Sequence, residues 1–386
     1  LGTLAVTNIG TIVSGDINNP ILDGNTILLV DGKIQAIGNA GILDQIQPGQ
    51  IVDAKGTTVI PGLIDSHVHP VLGDFTPRQK TLDYLDSALH GGVTTMISAG
   101  EPHTPGRPKD PAGVKALAVL AHKSFNNLRP GGLKIHGGAL ILERGLTEQD
   151  FAELAGEGVW LVGEIGLGSV KTPAEAAPMV RWAKKHGMKV AMHTGGTSIP
   201  GSSVVTADMV METNPTVVSH INGGTTAVST AEADQLIDQS DLTLEIVQCG
   251  NPKIADYVAR RLAEKNQLHR IIIGNDSPSG TGIIPLGILR TIVQLASMSR
   301  IPAAQAIAMA SGNTARVFEL NTSTIAVGKE ADLAIIDAPI GSVGSDALQA
   351  IEAGDIPGLS MVIIDGAVKV RKSRNTPPAN RQAELK

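Results

Sequence analysis

Eight short apolar runs recur through the middle of the chain, with helical stretches between them: VIPGLIDSHVH, GVTTMISAG, GLKIHGGALIL, GVWLVGEIG, KVAMHTGG, TVVSHING, LTLEIVQCG and RIIIGNDS. Their spacing of roughly 25–40 residues is that of consecutive βα units of about 30 residues each. The count predicts an α/β fold, a closed (β/α)8 TIM barrel over residues 61–324. An open doubly wound sheet is the competing arrangement, but no Gly-x-Gly-x-x-Gly turn follows an early strand to support a dinucleotide site. Hydrophobic residues make up 42% of the chain and aromatics only 2%, so the core must be Val, Ile, Leu and Ala. Branched aliphatics in that quantity suit buried parallel strands. Between runs, PAEAAPMVRWAKKHG carries Pro near its start and Gly after its end, the expected asymmetry of a helix.

The two ends read differently. LAVTNIGTIV, NTILLVDGKIQAIG and QIVDAKGTTVI are short strands with turns, and Asp31-Gly32 between apolar runs is a hairpin signal. After Gly328-Lys329-Glu330-Ala331 come DLAIIDAP and MVIIDGAVKV, where Asp365-Gly366 repeats that signal. Residues 1–60 and 325–386 are therefore expected to build one small β-sandwich domain together, with the barrel inserted between them.

With 31 basic and 37 acidic residues and no long run of like charge, the sequence recommends neither nucleic acid nor a membrane surface as partner. No window approaches the roughly 18 apolar residues of a membrane span, and the start lacks a basic region ahead of an apolar one. A single cysteine, Cys249, excludes an internal disulfide. The expectation is a soluble cytoplasmic protein.

A barrel collects its chemistry at the C-terminal ends of its strands. His67 and His69 end the first run, Glu164 the fourth, His193 the fifth, His220 the sixth and Asp276 the eighth. His-x-His on a strand turns both imidazoles to one face, because side chains alternate with a period of two. The set is nitrogen and oxygen without sulfur, which suits Zn²⁺, Fe²⁺, Mn²⁺ or Ni²⁺. Four histidines and two carboxylates exceed what one tetrahedral ion can use, so two divalent metal ions are expected, with Glu164 on the right strand to bridge them.

VIPGLIDSHVHP resembles the first barrel strand of the amidohydrolase superfamily, Pro-Gly-hydrophobic-hydrophobic-Asp-x-His-x-His, and His193, His220 and Asp276 occupy the family's remaining positions. GVWLVGEIGLG lacks the fourth-strand lysine that many members use as a carboxylated bridge, and Glu164 stands in its place. HGGVTTMISAG, PGRPKD, HTGGTSIPGS, EIVQCGNPKIADYVARR and GNDSPSGTG are similar to a branch that acts in anaerobic nicotinate fermentation. That resemblance implies opening of the lactam 6-oxo-1,4,5,6-tetrahydronicotinate to 2-formylglutarate and ammonia, a centre of Zn with Fe or of Zn alone, and a homotetramer.

On this reading His67, His69 and Asp276 hold one ion, His193 and His220 the other, and a hydroxide between them attacks the lactam carbonyl. Asp276 is the expected proton carrier. A small cyclic amide bearing a carboxylate needs a cationic or amide partner, for which Arg107, Lys109, Asn222 and Asn251 are candidates beside their ordinary roles in loops. The Gly- and Ser-rich run 194–203 is a candidate lid or a passive loop. His90, His103, His122, His186 and His269 are expected to be capping or surface residues, His136 to lie within the third strand as a candidate to face the pocket without serving as a ligand, and Cys249 to be a small buried apolar side chain. A dihydroorotase-like or hydantoinase-like activity, an N-acyl deacetylase and a non-catalytic scaffold stay open as alternatives.

Overall fold

The computed structural model describes residues 2–70, 79–101, 104, 106–197, 202–223, 226–278 and 283–386, without the side chains of 79–83. The eight runs are eight strands: Leu63–Val68, Val93–Ser98, Lys134–His136, Leu161–Ile165, Lys189–Met192, Val217–Val218, Thr243–Val247 and Ile271–Gly274. All their pairings are parallel, first to third and fourth to eighth. Parallel bridges from Leu140 to Val162 and from Val68 to Ser277 join the two groups and close the ring. The protein is a (β/α)8 barrel.

A helix follows each strand, as the right-handed crossover requires. The helix Pro173–Lys185 shows how local chemistry sets its bounds. Thr172 accepts from the Glu175 backbone N–H, the Glu175 carboxylate returns to the Thr172 N–H, and Gly187 beyond the end takes a φ of 75°. Ile64, Ile97, Leu161, Val217 and Ile272 fill the barrel interior above Trp160 and Phe318. Truncating such a residue, Ile272→Ala for example, is expected to cost about 2–5 kcal/mol.

Strands from both ends of the chain interleave in two further sheets. One has the order Glu384–Leu385, Gln50–Asp53, Thr3–Thr7, Thr26–Val30, Lys33–Gly38; the other has Ala367–Val370, Gly358–Ile364, Leu333–Asp337, Thr58–Pro61, Thr11–Val13, Ile21–Leu22. Their inner faces share an aliphatic core that includes Leu4, Val6, Ile27, Leu29, Leu333, Ile335, Met361 and Ile363. Both predicted hairpins form, with positive φ at Asp31 and Gly32 and again at Asp365 and Gly366, the backbone that a two-residue type I′ turn demands. Among the described residues no helix is long and apolar enough to cross a membrane.

Candidate metal centre

Because the eight strands run parallel, their C-terminal ends share one rim, and the six predicted residues meet there. His67 and His69 lie at the end of the first strand, Glu164 in the fourth, and His193, His220 and Asp276 just past the fifth, sixth and eighth. The five other than Asp276 are all 3% exposed or less. Asp276 keeps 17% of its side chain open, which leaves it the member that can meet a substrate from the barrel mouth. A Cβ at Gly274 would fall 2.7 Å from His67 Cβ, so glycine at the end of the eighth strand is what lets it close on the first.

The side chains form two triads, His67-His69-Asp276 and Glu164-His193-His220. In the first, the Nε2 atoms of His67 and His69 are 3.2 Å apart, and Asp276 Oδ1 lies 3.6 and 3.3 Å from them. Glu164 Oε2 sits 3.6 Å from both. In the second, His193 Nδ1 and His220 Nε2 are 3.1 Å apart, with Glu164 Oε1 at 3.6 and 2.5 Å. Glu164 thus turns one oxygen to each triad.

The outward nitrogens fix the tautomers of three rings. His67 Nδ1 donates to Glu245 Oε2 at 2.7 Å, His69 Nδ1 to the Gly100 carbonyl at 2.9 Å, and His193 Nε2 to the Gly196 carbonyl at 2.7 Å. Their remaining nitrogens therefore point lone pairs at one another and at carboxylate oxygens. Such a convergence is repulsive unless a cation lies within it. Apart from the His220 Nε2–Glu164 Oε1 pair, which at 2.5 Å is at hydrogen-bond distance, the donor separations of 3.1–3.6 Å suit an ion with bonds of about 2.0–2.1 Å, whose tetrahedral edges are roughly 3.3 Å. The residues fit a divalent metal centre.

The electrostatics agree. Burial disfavours an imidazolium at His67, but the carboxylates of Glu245, Glu164 and Asp276 outweigh it and hold its pKa well above the ordinary value. At Glu164 burial is likewise overcome, by His220 and His67, and the carboxyl falls well below its usual range. Asp276 is lowered too, by His67 and His69 against burial. The pocket selects positive charge. Behind it, burial pushes Asp65 up to about 7 despite the donors from Asn275 and His67. Asp65 accepts from the Asn275 backbone N–H at 2.9 Å and its Nδ2 at 2.7 Å, tying the first strand to the eighth. His220 and Asp276 both take positive φ, 34° and 55°, a backbone strain of about 1–3 kcal/mol each that recurs at functional sites.

The proposed substrate contacts fare differently. Asn222 spends its side chain on the seventh strand, donating to the Val247 carbonyl and accepting from the Val247 N–H, each at 2.9 Å. Asn251 caps the helix Pro252–Glu264, accepting from the N–H groups of Lys253 and Ile254. Arg107 donates to buried Glu143 Oε1 at 2.9 Å, and Lys109 is exposed. None of the four is brought into the two triads. Cys249 is not simply apolar filling, since it is half-buried with Sγ 3.2 Å from Asp276 Oδ2. His136 lies in the third strand but stacks edge-on against Trp160, away from the rim residues. His90, His122, His186 and His269 sit in helices, at their ends or in turns. His103 and residues 198–201 of the candidate lid lie outside the described residues; the base of that loop is pinned by paired hydrogen bonds between Gly195 and Val205.

Glu245, which accepts from His67 Nδ1, is a residue at the site that the rim pattern does not reveal. A lone carboxylate inside LTLEIVQ is itself a signal, because a buried charge in an apolar strand needs a partner.

A family model described as the amidohydrolase family matches residues 58–369. The enamidase of Eubacterium barkeri is 63% identical over 380 residues, 98% of each chain. A crystal structure of enamidase, described as a new member of the amidohydrolase superfamily, matches with a TM-score of 0.96 and 63% identity over 100% of both chains. A dihydroorotase of Lactobacillus helveticus is 28% identical over 181 residues, 46% of this chain and 39% of that one.

Proposed function

Because this chain belongs to the amidohydrolase family, we propose that it hydrolyses the lactam C–N bond of 6-oxo-1,4,5,6-tetrahydronicotinate to give 2-formylglutarate and ammonia. The observation that carries the reading is Glu164, whose two oxygens face the two triads in a chain 63% identical to an enamidase.

His67, His69 and Asp276 would hold one divalent ion, His193 and His220 the other, with Glu164 shared. When bound, such ions lower the pKa of water toward neutrality and polarise the lactam carbonyl. The chain's own part is orientation and proton transfer. Asp276, ionised and partly open to the mouth, takes the proton of the attacking water on its carboxylate and gives it to the ring nitrogen as the C–N bond breaks. The nitrogen leaves on a C=C carbon, as an enamine. Its imine tautomer consumes a second water to give the aldehyde and ammonia. The family resemblance implies zinc with iron, or zinc at both positions, and the nitrogen and oxygen donor set is compatible with either. The same family resemblance implies a homotetramer, which light scattering checks.

Ammonia release from 6-oxo-1,4,5,6-tetrahydronicotinate, run beside dihydroorotate and hydantoin, tests the assignment. Faster turnover of either competitor would move the chain to a cyclic ureide or imide substrate on the same metal chemistry.

A further inference from the structure

The seventh strand, Thr243–Val247, contributes nothing to either triad, yet it places a carboxylate directly behind them. Glu245 is 1% exposed. Its Oε1 accepts from Ser66 Oγ at 2.5 Å, and its Oε2 accepts from His67 Nδ1 at 2.7 Å and from the His220 backbone N–H at 3.3 Å. One side chain therefore ties the first, sixth and seventh strands together at the level of the rim.

The four imidazoles are backed unequally. His67 Nδ1 has this carboxylate, while the outer nitrogens His69 Nδ1 and His193 Nε2 face neutral carbonyls, of Gly100 and Gly196. His220 Nδ1 is buried with no hydrogen-bond partner among the described residues. A negative charge behind an imidazole holds the proton on the outer nitrogen and strengthens the inner one as a donor, whereas a carbonyl does so weakly and an unpartnered nitrogen not at all. The stronger donor belongs to the His67-His69-Asp276 triad, and the weaker one to the other.

Building on the metal-centre reading, we propose that Glu245 is a positioning residue that makes the two metal positions unequal, so that the ion held by His67, His69 and Asp276 is retained when the ion between His193 and His220 is lost. It acts through His67 and touches neither substrate nor ion.

The test follows zinc leaving the full-length, zinc-loaded protein under a chelator, read with a colorimetric zinc dye. The wild type is expected to release its ions in two phases, and His220→Ala should remove the fast one. Glu245→Gln keeps the shape and removes the charge. It should speed the slow phase roughly 10–100-fold and leave the fast phase within about twofold, the range usual for partners behind a ligand. Glu245→Asp, which keeps the charge one methylene further back, should give a smaller acceleration and serves should the glutamine variant fail to fold. Equal acceleration of both phases would reduce Glu245 to a structural strut and overturn the proposal, as would a slow phase unchanged in both variants. A wild-type chain that takes up no zinc would instead overturn the metal reading beneath it, a result visible before any variant is made.

Discussion

Cys249 and Asp276 are joined: the thiol Sγ lies 3.2 Å from Asp276 Oδ2, while Oδ1 is the oxygen that approaches His67 and His69. The proposed proton carrier thus has one oxygen turned to the candidate metal ligands and one held by a weak donor. Cys249→Ala removes that donor. A thiol is a weak donor, so even to a carboxylate the bond contributes about 1 kcal/mol, and kcat is expected to fall roughly 3–10-fold with metal content unchanged. Cys249→Ser, which keeps a donor, should recover part of the loss. Steady-state kinetics beside elemental analysis read both, and an alanine variant at full kcat would show that the thiol has no part in proton transfer.

Asp276→Asn keeps the shape and an oxygen toward the metals but cannot carry the proton. Turnover is expected to drop by roughly 10²–10⁴-fold while most of the metal stays bound. Near-normal activity in the variant would remove Asp276 from the proton-transfer role.

Glu164→Ala takes an oxygen from each triad at once. Fewer than two ions per chain are expected by elemental analysis, and activity should be lost with them. Two ions retained would sink the bridging assignment.

Asn222→Ala leaves the Val247 N–H and carbonyl without their side-chain partners in a buried position. The expected cost is about 2–4 kcal/mol of stability, seen as a lower urea midpoint, with KM within about twofold of wild type. A large rise in KM at unchanged stability would return Asn222 to the substrate.

His136 gives a pH dependence independent of the metal ligands. Burial, reinforced by the Lys134 cation and by His122, lowers it from 6.5 to about 4. Between those values the unfolded chain binds the proton and the native chain does not, so this stability is full above pH 6.5 and is lost as the pH falls toward 4. About 3 kcal/mol is at stake. Urea midpoints across this window should fall less steeply for His136→Gln than for wild type; parallel curves would refute the assignment.

The barrel and its rim were legible because both follow from repetition. Eight apolar runs define eight strands, and a residue that ends a run must sit at the shared rim whatever the loops do, so His67, Glu164, His193 and Asp276 could be placed by position alone. Residues that act sideways, between strands, carry no such address. Asn222 at a strand end has the same chemistry whether it meets a substrate or a neighbouring backbone, and only the packing of the sixth strand on the seventh decides. Asn251 was decidable, since Asn followed by Pro252 is a helix start. Glu245 was visible as an anomaly, but its side-chain partners Ser66 and His67 lie 179 and 178 residues away in the sequence, and no local pattern names them.

The interleaved sheets set an order of events during synthesis. Thr58–Pro61 pairs with Leu333–Asp337, and the whole barrel lies between them in the chain. At ribosomal rates of roughly 5–20 residues per second, the earlier strand emerges on the order of tens of seconds before its partner exists. Through that interval Val59 and Ile60, fully buried at the end, present an unfinished apolar edge. A nascent chain of this kind needs a chaperone or a fast-closing barrel to shelter that edge, and a ribosome stalled within the barrel would release an aggregation-prone product.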